Sequence, residues 1–227
     1  MKKSLVYYVS IVAGILLCVT EIAQNNNFRN HWITTFPYGN NDITILHQSG
    51  QIFYFIKQQN DTVINKSLLG TETKDADFSN GLIYPSVTTQ KTDEQYTILI
   101  GKRRLNQNLC NQTRITFTYK NYESIQFITR AYNDGAAFRY YFPAIKKDTT
   151  VANENLSFIS AWLMQYGKPT DHAQAYENYY GPASPIIHNA PDSSNWAFPA
   201  LVNSSDDYIL LTEAGISEIF YGTHLKK

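Results

Sequence analysis

The chain has 227 residues, 43% of them hydrophobic and 14% aromatic, with 19 Lys plus Arg balanced by 19 Asp plus Glu. That is ample apolar material for one good-sized core, and a formal net charge of zero excludes electrostatic steering toward nucleic acid or an acidic surface. The 17 tyrosines suit pleated, half-buried strands, with a sugar-stacking surface as the alternative reading.

At the N-terminus, Lys2 and Lys3 precede an apolar run from Leu5 to Val19, and Thr20-Glu21-Ile22-Ala23 precedes Gln24. This pattern predicts a signal peptide over residues 1–23 and a mature protein that is periplasmic or secreted. A lipoprotein signal at Cys18 is the rival reading, weakened by Leu17 where a small residue is expected. An uncleaved anchor is a further alternative, since the run is near the lower limit for spanning a bilayer. Once the signal is removed, Cys110 is the remaining cysteine, so no internal disulfide is expected and the core must hold the fold. No Cys or His cluster has metal-ligand spacing, and His172 and His188 read as solvated loop residues.

Residues 24–42 read as a flexible leader that opens on the polar run Gln24 to Asn30. Ile43 to His47, Ser49-Gly50 and Ile52 to Lys57 then predict a hairpin, and Gln59-Asn60-Asp61 turns the chain into Thr62 to Ile64. Thr71 to Gly81 is polar, without apolar periodicity, and reads as a loop. Tyr96 to Ile100 and Arg114 to Tyr119 read as strands. Between them lies a loop, Gly101 to Gln112, in which Lys102, Arg103 and Arg104 form a basic surface turn.

Ser124 to Pro143 carries the clearest signal. Ile125, Phe127, Thr129 and Ala131 alternate with Gln126, Ile128, Arg130 and Tyr132, a period of two that belongs to a strand. Asn133-Asp134-Gly135 supplies a turn in which Gly135 is expected to take positive φ. Ala136 to Phe142 returns and stops at Pro143, which cannot donate to a ladder. Asn155 to Trp162, Ala183 to Ala190, Phe198 to Val202 and Tyr208 to Glu213 add strands, the last two joined by a turn at Ser204 to Asp207. Asp171 to Tyr180 is the one helix-like piece, with Tyr176, Tyr179 and Tyr180 at helical spacing. The whole predicts an all-β chain, an antiparallel sandwich with at most one short helix. No strand–helix alternation suggests a (β/α)₈ barrel.

Glycoside hydrolysis uses two carboxylates flanking the scissile bond, and no motif here pairs two. There is also no nucleophile elbow, zinc-protease helix, P-loop or dinucleotide fingerprint. Trp162, Trp196 and the Tyr176/Tyr179/Tyr180 group could stack on sugar rings, although core packing uses the same residues.

The wording of two blocks goes further than their periodicity. AYNDGAAFRYYFP (131–143) and NWAFPALVNSSDDYILLTEAGISE (195–218) resemble the N-terminal domain of glycoside hydrolase family 97, and NDITILHQSGQIFYFIKQQNDTVINKSLLG (41–70) is similar to its three opening strands. The resemblance runs from about Ile43 to Tyr221 and implies a galactose-mutarotase-like super-sandwich over residues 43–227. One departure is NQNLCNQ, which stands where the family carries a Trp-containing strand end and an aromatic loop.

The family acts on α-linked sugars as α-glucosidases and α-galactosidases. Its acid and base lie on a (β/α)₈ barrel that follows this domain, so the resemblance implies no catalytic residue here and no activity of the chain alone. Glu213, in LLTEAGI, matches the family glutamate that reaches a calcium ion at the barrel's active site. Calcium is therefore the implied cofactor, bound when the two domains are joined. Glu218 and Asp207 are nearby carboxylates with no motif match. The implied partner is an oligosaccharide met through the barrel, with no nucleic acid and no membrane after signal cleavage. Trp196 is a candidate sugar contact. The alternative reading is a stand-alone carbohydrate-binding or structural sandwich of the periplasm.

Overall fold

A computed structural model describes residues 30–39, 41–120, 123–143, 150–159, 164–169, 195–204, 207–215 and 224–226. The first sheet is antiparallel and follows chain order: β1 (His31–Thr35), β2 (Asn41–Gln48), β3 (Gln51–Gln58) and β4 (Asp61–Leu69). A short strand β5 (Thr71–Thr73) then leads into the second sheet. That sheet is also antiparallel and in chain order, with β6 (Ile83–Thr97), β7 (Leu105–Thr118), β8 (Ser124–Tyr132) and β9 (Gly135–Tyr141). β10 (Val151–Glu154) returns to pair with β5. A third sheet holds β11 (Met164–Pro169), β12 (Asn195–Ser204) and β13 (Asp207–Leu211), with β14 (His224–Lys226) pairing β12. No α-helix occurs among the described residues.

The first two sheets form a sandwich because each strand turns alternate apolar side chains to the same side. Ile43, Ile45, Ile52, Tyr54, Ile64 and Leu69 from the first sheet share one core with Ile115, Phe117, Ile125, Phe127 and Ala131 from the second. Burying each large side chain contributes roughly 1.5–3 kcal/mol. Phe117 sits at the centre, edge-on to Trp32 and to Phe127 with ring centroids 5.7 Å away in both cases, an arrangement that adds to area burial. From the third sheet, Ile209 packs against the same core.

The two hairpins that the alternation predicts are present, and their turns differ. Gln48 pairs with Gln51 across Ser49 and Gly50, which have φ of 53° and 80°, the doubly left-handed turn that matches strand twist. At the second hairpin Tyr132 pairs with Gly135. Gly135 there opens β9 rather than taking positive φ, so the turn is carried by Asn133-Asp134.

Several expectations need correcting. The leader over 24–42 contains β1, whose Trp32 and Thr34 are buried; polar neighbours hid a strand that pairs with β2 along its full length. The polar loop at 71–81 contains β5 and tucks Ala76 and Phe78 into the core. NQNLCNQ is strand rather than loop, with Asn106 to Gln112 paired against Gln90 to Tyr96. Ladder bonds from β6 satisfy its backbone, so it needs no apolar alternation. Conversely, Ile98, Leu99 and Ile100 lie beyond β6, at the exposed hairpin tip. Residues 155–159 are not a regular strand, although the Asn155 and Ser157 amides bond Gly70 and Leu68 and the Ile159 carbonyl accepts from Asn65. The helix-like piece at 171–180, the strand at 183–190 and the signal over 1–23 lie outside the described residues. Cys110 is buried and free.

Candidate functional site

Glu213 follows the end of β13 and is half-buried. It lies before Gly215, whose φ of 84° suits a residue without Cβ. Glu154 is the last residue of β10, where it pairs with Thr71. Burial of Glu154, and secondly the charge of Glu213, raise its pKa above the ordinary glutamate value. β10 runs along an exposed edge, yet enough protein surrounds this carboxyl to disfavour its charged form.

Two tyrosines of the core face the same neighbourhood. The Tyr140 hydroxyl donates to the Gly70 carbonyl at 3.2 Å; its pKa is pushed well up by burial, then by the charge of Glu154 and by Tyr54. The Tyr54 hydroxyl donates to the Ser157 carbonyl at 2.8 Å, and burial raises its pKa in turn. Both phenols therefore stay neutral.

Neighbouring carboxylates favour either a shared proton or a cation, and Ca²⁺ takes six to eight oxygen ligands. Among the described residues no group of three or more His, Cys, Asp or Glu is placed to hold a metal, so further oxygens would come from elsewhere. Glu154 carries no motif in VANE, and sequence reasoning did not single it out.

The other predicted residues are dispersed. Asp207 opens β13, and Glu218 lies outside the described residues. Trp196, in β12 opposite Pro169 and Leu225, is half-buried, and among the described residues its buried indole N–H finds no acceptor. Trp162, Tyr176, Tyr179, Tyr180, His172 and His188 lie outside the described residues. Lys102, Arg103 and Arg104 are exposed at the β6–β7 tip.

Comparison with known proteins gives a consistent result. The family described as glycosyl-hydrolase 97 N-terminal matches residues 36–227. A probable retaining alpha-galactosidase from Streptomyces bingchenggensis (strain BCW-1) is 24% identical over 225 residues, covering 95% of this chain and 33% of that protein. Among solved structures, a glycoside hydrolase family 97 enzyme from Pseudoalteromonas sp. strain K8, solved in complexes with panose and with acarbose, is 26% identical with a TM-score of 0.65. The match covers 77% of this chain and 27% of that one. A beta-arabinopyranosidase shares the fold with a TM-score of 0.73 at 20% identity, over 82% of this chain and 32% of that one. The chain thus spans about a third or less of the length of these relatives.

Proposed function

The chain belongs to the glycosyl-hydrolase 97 N-terminal family, and from that premise we propose that it serves a calcium-dependent glycosidase acting on α-linked sugars. The observation that carries this reading is the family match over residues 36–227. The domain is the N-terminal β-sandwich of a glycoside hydrolase. The substrate class is supported by the panose and acarbose complexes of the Pseudoalteromonas enzyme and by the alpha-galactosidase relative.

In this reading the sandwich covers the active site of a (β/α)₈ catalytic domain and contributes Glu213 to a calcium ion shared with it. The ion would supply positive charge next to the reacting sugar. Glu213, just after β13, would offer carboxylate oxygens, and Glu154, which feels its charge, would supply a second anionic group. Together they favour a hard cation over the shared proton. Trp196, half-buried in β12, is the proposed aromatic contact for sugar. The N-terminal signal would place the enzyme in the periplasm or outside the cell.

The test uses the protein in which this domain is joined to a catalytic domain. Turnover of panose and of a nitrophenyl α-galactoside is expected to fall on chelation and return with calcium. Glu213→Gln is expected to raise the calcium concentration needed, because an anionic ligand becomes a neutral amide of the same shape. Activity indifferent to both treatments overturns the reading. The chain by itself is expected to turn over neither substrate.

A further inference from the structure

We infer that the outer face of the second sheet carries an open groove that binds a neutral oligosaccharide, apart from the Glu154–Glu213 neighbourhood. The groove has a volume of about 780 Å³ and is lined by Glu94 and Tyr96 of β6, Gln107 and Asn108 of β7, and Arg130 and Tyr132 of β8. Its size lies within the usual range for small-ligand sites, roughly 300–1,000 Å³.

The polar side chains are held in place by their neighbours. Arg130 Nε donates to Gln112 Oε1 at 2.8 Å, and the guanidinium also bonds the Tyr132 side chain, which fixes its plane within the groove. Asn108 Nδ2 donates to Glu94 Oε2 at 3.0 Å across the β6–β7 pair. Asn108 Oδ1 receives the weak Cys110 thiol at 3.8 Å. Planar groups with a second donor or acceptor beyond the fixing bond suit vicinal hydroxyls, which present a donor and an acceptor side by side.

Two further features select the ligand class. The single cation, Arg130, is balanced by the single anion, Glu94, among the lining residues, so neither an acidic nor a basic ligand is favoured. Tyr96 is 50% exposed and Tyr132 half-buried, giving aromatic surface against which the C–H face of a pyranose can lie. A peptide strand would instead seek the backbone edge of β6 or β9, the two edge strands of this sheet, and would leave these side chains unused. The sandwich would thereby hold substrate chains near the catalytic partner. The inference rests on the proposed glycosidase reading for the α-linkage of the probe, and not on calcium.

The experiment is saturation-transfer NMR on the full chain in EDTA, with panose, the β-linked trisaccharide cellotriose and the extended peptide trialanine as separate probes. Transfer to panose ring protons is expected, with tighter binding of panose than of cellotriose. Tyr96→Ala should weaken panose binding about tenfold, as expected for loss of one aromatic contact of ~1.4 kcal/mol. Tyr96→Phe should retain it, and Glu94→Gln should weaken it with the thermal midpoint unchanged. Tyr208→Ala, at another exposed tyrosine (64%), should leave binding as it is. Equal panose binding by wild type and Tyr96→Ala overturns the proposal, as does absence of transfer to panose. Transfer to trialanine alone would make the groove a peptide site and overturn it equally. Preference for cellotriose would keep the groove but overturn the α-glycan reading. Because EDTA is present throughout, failure here is distinct from failure of the calcium test.

Discussion

The hydroxyls of Thr34 and Thr129 lie 2.7 Å apart in the buried space between the two sheets. Thr129 Oγ1 in turn donates to the Thr113 carbonyl at 3.4 Å, so the Thr34 hydroxyl donates to Thr129. The first strand of the first sheet is thus tied to the third strand of the second. Thr129→Val should strand the Thr34 hydroxyl and cost about 1–3 kcal/mol, the usual penalty for a buried unsatisfied group. Thr34→Val/Thr129→Val together should recover most of that loss, since two apolar groups of the same shape are nearly neutral. Urea unfolding of the two variants checks this; a double variant no better than the single one refutes the pairing.

The core prediction ranks two phenylalanines. Phe117 is fully buried among Trp32, His47 and Phe127. Phe138 is only partly buried, packing on Tyr54 with ring centroids 5.2 Å apart. Phe117→Ala should cost about 3–5 kcal/mol and Phe138→Ala roughly 2–4 kcal/mol. Chemical denaturation that reverses the order would show that β9, rather than β7, lies over the centre of the core.

The pH prediction concerns Glu154. Burial first, and the Glu213 charge second, raise its folded pKa, so the native state binds this proton more tightly than the unfolded chain. The resulting stability is fully present below the unfolded pKa and is lost as pH rises through the higher folded value. Glu154→Gln should abolish that fall in thermal midpoint. Glu213→Gln should lessen it only in part, because burial remains. NMR titration of the Glu154 carboxyl in both backgrounds is the direct check, and an unchanged midpoint after Glu213→Gln would separate the two groups.

The β6–β7 tip predicts behaviour in solution. Leu99 and Ile100 are 97% and 90% exposed, next to Lys102, Arg103 and Arg104. Exposed contiguous apolar surface promotes association, so Leu99→Ser/Ile100→Ser should reduce concentration-dependent light scattering. Stability should stay within about ±0.5 kcal/mol, as for surface substitutions. Unchanged scattering would show that the tip is not the adhesive surface.

Two hairpins, β2–β3 and β8–β9, could be read in the amino-acid order because inward residues such as Ile43, Ile45, Phe127 and Ala131 alternate with polar ones, and short turns follow. Glu213 enters as a candidate only through its resemblance to a family motif. The sequence could not reveal β1, the full length of β6–β7, or the buried Thr34–Thr129 contact. Periodicity reports which side chains are apolar, whereas a strand such as Asn106 to Gln112 exists because a neighbouring backbone completes its hydrogen bonds. Nor could it bring Glu154 under the charge of Glu213, or Arg130 and Tyr132 to one groove with Glu94 and Tyr96. Those meetings join residues far apart in the chain, and the pairing of strands and the stacking of sheets decide them.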